Sequence, residues 1–170
     1  MKLIVAVDKE WGIGYKGELL ARVRADLQNF RKETEGRVVV LGSKTLATFP
    51  GGRPLKNRTN IVLSRNPDYA PEGALVAHSI DELLAIAGEY ERDNVCIIGG
   101  ETVYTQLLPY CDTAIVTKFD QSFEKDAFMP NLDADESWRL VDESEEMSAN
   151  PDTDSPADLK FKFCTYKKTN

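Results

Sequence analysis

Residues 95–104 read Val-Cys-Ile-Ile-Gly-Gly-Glu-Thr-Val-Tyr, and the rest of the chain is organised around them. Val95, Cys96, Ile97 and Ile98 form an unbroken apolar run, as expected of a strand buried on both faces of a largely parallel sheet. Gly99 and Gly100 end the run, and without Cβ atoms the main chain there can turn sharply and a ligand can approach it closely. Helical signal returns at Glu101, with Thr102, Val103, Tyr104, Leu107 and Leu108 following and Pro109 as the stop. Such a strand, turn and helix leave several N–H groups around the glycines, a natural seat for phosphate. A tight turn without a ligand would look the same, so the surrounding sequence has to decide.

Working outward, the pattern recurs. Val38, Val39, Val40 and Leu41 lead into Gly42, Ser43, Lys44 and Thr45 at the start of a short helix. Capping by Ser43 is the plainer explanation, but Lys44 and Thr45 add a cation and a hydroxyl where an anion would sit. A third strand, 60–63, ends on Ser64 and Arg65, a hydroxyl and a guanidinium at the carboxyl end of a strand, where open α/β sheets bind ligands. One extended polyphosphate, a dinucleotide above all, could touch all three places. The first strand, 3–7, ends at Asp8 and lacks the G-x-G-x-x-G of the standard dinucleotide fold.

The remaining segments complete an alternating pattern. Residues 9–18 carry Gly12, Gly14 and Gly17 and read as a mobile lid, with Trp11 and Ile13 as its apolar cover. A helix over 25–34 has Asp26 in its first turn, where a carboxylate is favoured by the helix dipole whatever its function. Residues 50–58 form a basic loop, 75–77 a short strand, and Ser79-x-x-Glu82 a capping box for a helix ending at Gly88. His78 precedes that cap, as a surface residue or one facing a nucleotide. A strand over 113–118 is followed by an acidic loop to Pro130, then strands 138–144 and 160–167, joined by a long, mobile acidic loop. The expected fold is a three-layer α/β/α domain over 1–170, with an eight-stranded, mostly parallel (mixed) sheet, a C-terminal antiparallel hairpin and four helices.

Composition narrows the function. The chain has 170 residues, enough for one domain to bury its core unaided. No apolar run is long enough to span a bilayer, and no export signal is apparent. The three cysteines Cys96, Cys111 and Cys164 are far apart and make no C-x-x-C pair, which argues against a disulfide framework or a structural zinc and fits the cytoplasm. A net charge of −7 disfavours nucleic acid and anionic membranes and leaves a small molecule as the expected partner. A monomer is expected, with no metal.

Six motifs in order, L-I-V-A-V-D with W-G-I-G, A-D-L-Q-N-F, V-V-V-L-G-S-K-T-L, G-R-P-L-K-N-R-T-N-I-V-L-S-R, I-I-G-G-E-T-V-Y and T-K-F-D, resemble the dihydrofolate reductase family over nearly the whole chain. The resemblance implies NADPH-dependent reduction of 7,8-dihydrofolate to tetrahydrofolate. It makes Asp26 the buried carboxylate that pairs with the pterin and promotes protonation at N5, with Thr117 supporting it. Ile4, Ala6, Leu27, Phe30, Phe49, Leu55 and Tyr104 become substrate walls, and Arg58 the grip on the folate α-carboxylate. The cofactor side falls to Ala6, Ile13, Gly42, Ser43, Lys44, Thr45, Ser64, Arg65, Ile98, Gly99, Gly100, Glu101, Thr102, Val103 and Tyr104, with Ser64 and Arg65 recognising the 2′-phosphate.

Two departures stand out. Leu20-Ala21 replaces the family's usual Pro-Trp, which implies a more open pocket there, and Ser43 stands where many relatives have a cofactor-facing arginine. Two rivals remain at this stage. One is the pyrimidine reductase of riboflavin synthesis, against which Asp26, Phe30 and Arg58 argue together. The other is a non-catalytic nucleotide-binding protein, favoured only by Leu20-Ala21.

Overall fold

The computed structural model describes residues 1–169. In chain order the elements are β1 (Lys2–Val7), β2 (Gly12–Tyr15), β3 (Glu18–Leu19), α1 (Arg24–Thr34), β4 (Val38–Gly42), α2 (Ser43–Ala47), β5 (Thr59–Leu63) and β6 (Leu75–Ala77). There follow α3 (Ile80–Ala87), β7 (Val95–Gly99), α4 (Glu101–Leu107), β8 (Thr113–Phe119), β9 (Ala127–Phe128), β10 (Trp138–Glu143), β11 (Met147–Ser148) and β12 (Lys160–Lys168). The main sheet runs β10-β12-β8-β1-β7-β4-β5-β6, with β11 added beside β12. The eight-stranded mixed sheet and its four helices are therefore as expected. The chain divides into two compact units, residues 1–3 with 34–111 and residues 4–33 with 112 onward.

In the first unit β4 pairs in parallel with both β5 and β7, and β6 extends the sheet beyond β5. Val39, Val40, Leu41, Ile61, Val62 and Ile97 are fully buried, so these runs need no polar alternation. Helix α3 is capped as its sequence indicates, with Ser79 Oγ accepting from Glu82 N at 3.1 Å. The Glu82 carboxylate takes the N–H of His78 at 3.0 Å, one residue earlier than a capping box would have it. Ser43 does not cap α2: the cap position is Gly42, which offers no side-chain acceptor.

In the second unit β12 is antiparallel to both β8 and β10, which makes the expected hairpin. Two segments differ from their expected loops. Residues 9–18 contribute β2 and β3, and β2 also pairs with β9 to complete a separate three-stranded sheet. The glycines there permit close packing: a Cβ on Gly12 would collide with the Lys125 side chain. The acidic stretch 145–158 is also structured, because Met147 and Ser148 pair with Phe161 and Lys160. Among the described residues no helix is long and apolar enough to cross a membrane.

Candidate active site

In the second unit, helix α1 and strand β8 bring Asp26 and Thr117 together. Thr117, only 2% exposed, donates from Oγ1 to Asp26 Oδ1 at 2.6 Å. Burial lifts the Asp26 pKa above the ordinary carboxylate value, and the Thr117 hydrogen bond, which favours the ionised form, offsets part of that rise. Helix α1 buries only Thr34 completely. Leu27, on the same helix, is 45% exposed and Phe30 half-buried, leaving apolar surface beside the carboxyl that protein does not cover. Ile4 is buried and Ala6 half-buried on β1, and Ile13 is half-buried on β2.

Sequence reading missed the clamp on the glycine-rich segment. Asp8 accepts from the N–H groups of Gly12 at 2.8 Å, Glu10 at 3.0 Å and Phe123 at 3.1 Å, and pairs with Lys125 at 2.6 Å. Burial pushes the Asp8 pKa up, but Lys125 and the three N–H donors outweigh it and hold the carboxyl below its usual range. Lys125 also reaches Glu10 at 2.7 Å. Nothing in the sequence marks Lys125 for this role; the only signal was an aspartate closing a buried strand.

Trp11, on the same segment, is packed down. It is 4% exposed, packed edge-on against Tyr166 at 5.9 Å, with Lys118 Nζ 5.4 Å above its ring. Ala21 is buried too, in an apolar cluster with Val23, Phe119, Ala149, Leu159 and Phe161. The position expected to open a pocket is packed.

In the first unit the two glycine turns adjoin one another. A Cβ on Gly100 would lie 3.1 Å from Thr45 Oγ1, and one on Gly42 would lie 3.3 Å from Val103 Cγ2. Gly99 has φ +123, a conformation side chains rarely adopt, and its absent Cβ would meet the Tyr104 ring at 3.3 Å. Ile98 and Val103 are buried, while Lys44, Glu101 and Thr102 are exposed and Ser43 and Thr45 half-buried. At the end of β5, Ser64 is buried and Arg65 exposed. His78 Nδ1 lies 2.8 Å from the Ser64 carbonyl oxygen, which brings the lone histidine to that strand end.

Arg58 is fixed by donating to Lys56 O at 2.8 Å and to Thr34 Oγ1 at 3.1 Å. Leu55, half-buried like Phe49, is held by buried Asn60, which accepts from its N–H at 3.0 Å and donates to its carbonyl at 2.9 Å. Asn60 is a further residue the sequence did not single out. Among the described residues no cluster of three or more His, Cys, Asp or Glu could hold a metal ion.

A family model described as "Dihydrofolate reductase" matches residues 1–168. The dihydrofolate reductase of Bacillus subtilis is 34% identical over 170 residues, covering 100% of this chain and 95% of that protein. The Bos taurus dihydrofolate reductase is 36% identical over 186 residues, covering 100% and 98%. A solved structure of dihydrofolate reductase from Enterococcus faecalis, complexed with NADP(H) and RAB-propyl, superposes with a TM-score of 0.85 at 36% identity, covering 99% of this chain and 96% of that one. With a whole-length family match, relatives of this similarity and the same fold, the chain belongs to the dihydrofolate reductase family.

Proposed function

We propose that Asp26 and Thr117 carry the protonation half of the dihydrofolate reductase reaction in this chain, and that the turns at Gly42 and Gly99 hold its cofactor. The reaction is the NADPH-dependent reduction of 7,8-dihydrofolate to 5,6,7,8-tetrahydrofolate, an oxidoreductase step that supplies one-carbon metabolism. The observation that carries the reading is the Asp26 carboxyl on α1, hydrogen-bonded to Thr117, with the exposed Leu27 and half-buried Phe30 on the same helix.

NADPH, when bound, supplies the hydride that passes from nicotinamide C4 to pterin C6. The chain's own work is placement and charge. The Asp26 carboxyl holds the pterin through its 2-amino group and ring N–H, and its raised pKa brings proton uptake closer to neutral pH, which favours protonation at N5. Ile4, Ala6, Leu27, Phe30, Phe49 and Leu55 are the apolar walls for the rings. Arg58 meets the folate carboxylate with a planar fork that two parallel hydrogen bonds orient.

What supports a cofactor in the first unit is the pair of strand-to-helix turns, whose glycines let them pack against one another and whose helix starts offer main-chain N–H groups of the kind a pyrophosphate takes. Gly42, Ser43, Lys44 and Thr45 take one side of it, and Ile98, Gly99, Gly100, Glu101, Thr102, Val103 and Tyr104 the other. Ser64 and Arg65 take the 2′-phosphate and give the preference for NADPH over NADH, while Ala6 and Ile13 meet the nicotinamide carboxamide. Tyr104 serves substrate as well as cofactor. We place the protein in the cytoplasm as a monomer, with small molecules rather than nucleic acid or membrane as partners.

NADPH oxidation followed with and without dihydrofolate, in the wild type and in Asp26→Asn, tests the assignment. Substrate-dependent oxidation that collapses in the variant while NADPH binding persists is the expected result. Near-normal single-turnover hydride transfer in Asp26→Asn at neutral pH would remove Asp26 from this role.

A further inference from the structure

Helix α1 begins without a cap of its own. Its first intrahelical bond runs from Leu27 N to Val23 O at 3.1 Å, which makes Val23 the cap residue, and valine has no side-chain acceptor for the first-turn N–H groups. The acceptor comes from the other end of the sequence. Asp154 Oδ1 takes the N–H of Arg24 at 2.9 Å, across a separation of 130 residues.

The turn that presents Asp154 is itself anchored on the segment leading into α1. Asp154 Oδ2 accepts from Asn150 N at 2.7 Å and Oδ1 from Thr153 Oγ1 at 3.0 Å. Arg22 and Ser155 exchange N–H to carbonyl bonds in both directions, each 2.9 Å. Beneath them Ala21 and Val23 pack with Ala149 and Leu159 from the two ends of the turn. The N–H groups of Arg24 and Asn150 hold the Asp154 carboxyl below its usual range, so it is ionised where the enzyme works.

From these contacts we infer that Asp154 is a positioning residue for hydride transfer: by capping α1 at Arg24, it sets where Asp26, two residues further on, meets Thr117 and the pterin. The inference rests on the reading of Asp26 as the reaction's carboxylate. A small displacement of a reacting group is costly, since an error of about 1 Å can lower a rate about a hundredfold. The α1 start has three further ties, the Arg22–Ser155 pair, the apolar cluster and the Asp26–Thr117 bond, so partial displacement is the expected consequence of losing the cap.

The test is single-turnover hydride transfer at saturating NADPH and dihydrofolate in the full chain, comparing wild type, Asp154→Ala, Asp154→Asn and Asp26→Asn. NADPH affinity and amide exchange at Arg24 are measured alongside. Asp154→Ala is expected to slow transfer about tenfold and to speed exchange at Arg24 by a similar factor, leaving NADPH affinity unchanged. Asp154→Asn keeps one acceptor oxygen for Arg24 but sets its amide NH2 against the Asn150 N–H, so it is expected to fall between wild type and Asp154→Ala.

Wild-type transfer in Asp154→Ala beside slow transfer in Asp26→Asn would overturn this inference alone. So would equal losses in the Ala and Asn variants, or a loss in Asp154→Ala accompanied by an equal loss of NADPH affinity, which would mark general destabilisation. Normal transfer in Asp26→Asn would overturn the reading of Asp26 and this inference with it.

Discussion

Replacing Thr117 with valine tests the Asp26 environment with little change of shape. Thr117 is 2% exposed and its hydroxyl donates to Asp26 Oδ1 at 2.6 Å, so valine keeps the side-chain outline and removes the donor. A hydrogen bond to a charged group is worth about 1.5–3 kcal/mol. Because this one favours the ionised carboxyl, its loss is expected to tighten proton binding by about ten- to a hundredfold. Burial already holds the Asp26 pKa above the ordinary value, and the variant pushes it further the same way.

The direction of the kinetic effect follows. On the role proposed for Asp26, reduction needs a proton at the Asp26–pterin pair, so hydride transfer falls as pH rises through the midpoint of that pair. The Thr117→Val profile is expected to hold its plateau to higher pH than the wild type, and Thr117→Ser to restore the original midpoint. Stability moves in the same window. A carboxyl whose folded pKa is raised costs stability as pH climbs above its unfolded value, so the variant loses more than the wild type toward neutral pH. Single-turnover stopped flow across pH, paired with thermal unfolding at the same pH values, measures both. A midpoint that stays put, or moves to lower pH, would refute the argument that the Thr117 hydroxyl stabilises the Asp26 carboxylate.

Three further perturbations address other parts of the molecule. Arg65→Ala is expected to weaken NADPH about ten- to a hundredfold while leaving NADH nearly unchanged, measured by fluorescence titration; equal losses would place Arg65 away from the 2′-phosphate. Lys125→Met removes the partner of a buried carboxylate, so the Asp8 pKa rises toward its unfolded value. Since a depressed carboxyl gives stability that is lost as pH falls through its folded pKa, acid unfolding of this variant should begin at higher pH, and an unchanged acid transition would show that the backbone N–H groups alone hold Asp8 ionised. Ala21→Trp forces a large ring into the cluster around Phe119 and Phe161 and is expected to destabilise the fold by about 1–3 kcal/mol. A variant as stable as wild type in urea unfolding would mean that space exists there after all.

The fold was readable because its central strands are apolar without alternation and their turns carry glycines where helices begin. Val38 to Leu41 and Val95 to Ile98 are the clearest cases, and both became buried parallel strands. The glycine-rich segment was expected as an irregular loop and instead contributes two short strands, because composition cannot distinguish glycines that permit motion from glycines that permit contact. Gly12 belongs to the second kind, as the nearby Lys125 side chain shows. The acidic stretch after residue 144 misled similarly: its aspartates look like solvated charge, yet Asp154 accepts two backbone N–H groups. Asp26 is a different case. Its position in a first helical turn has an ordinary electrostatic explanation, and the catalytic reading proposed for it rests on the family pattern together with the Thr117 contact.

The polar contacts that fix residues 4–33 come largely from the far side of the sequence. Thr117 holds Asp26, Lys125 and Phe123 hold Asp8, Asp126 holds the N–H of Lys16, and Asp154 holds the N–H of Arg24. The early segment cannot supply these itself, because its helix start has valine where a cap belongs and its short strands contain glycines that pair through the main chain alone. Closing loops of this length costs entropy that only the completed set of contacts returns, so the geometry at Asp26 forms cooperatively with the second half of the chain. Substitutions at 117–126 or 150–155 can therefore alter hydride transfer without touching a ligand. Where they leave Ala6 and Ile13 in place, their signature is a changed rate with NADPH affinity largely kept, because the adjoining turns around Gly42 and Gly100 are built from residues of the other unit.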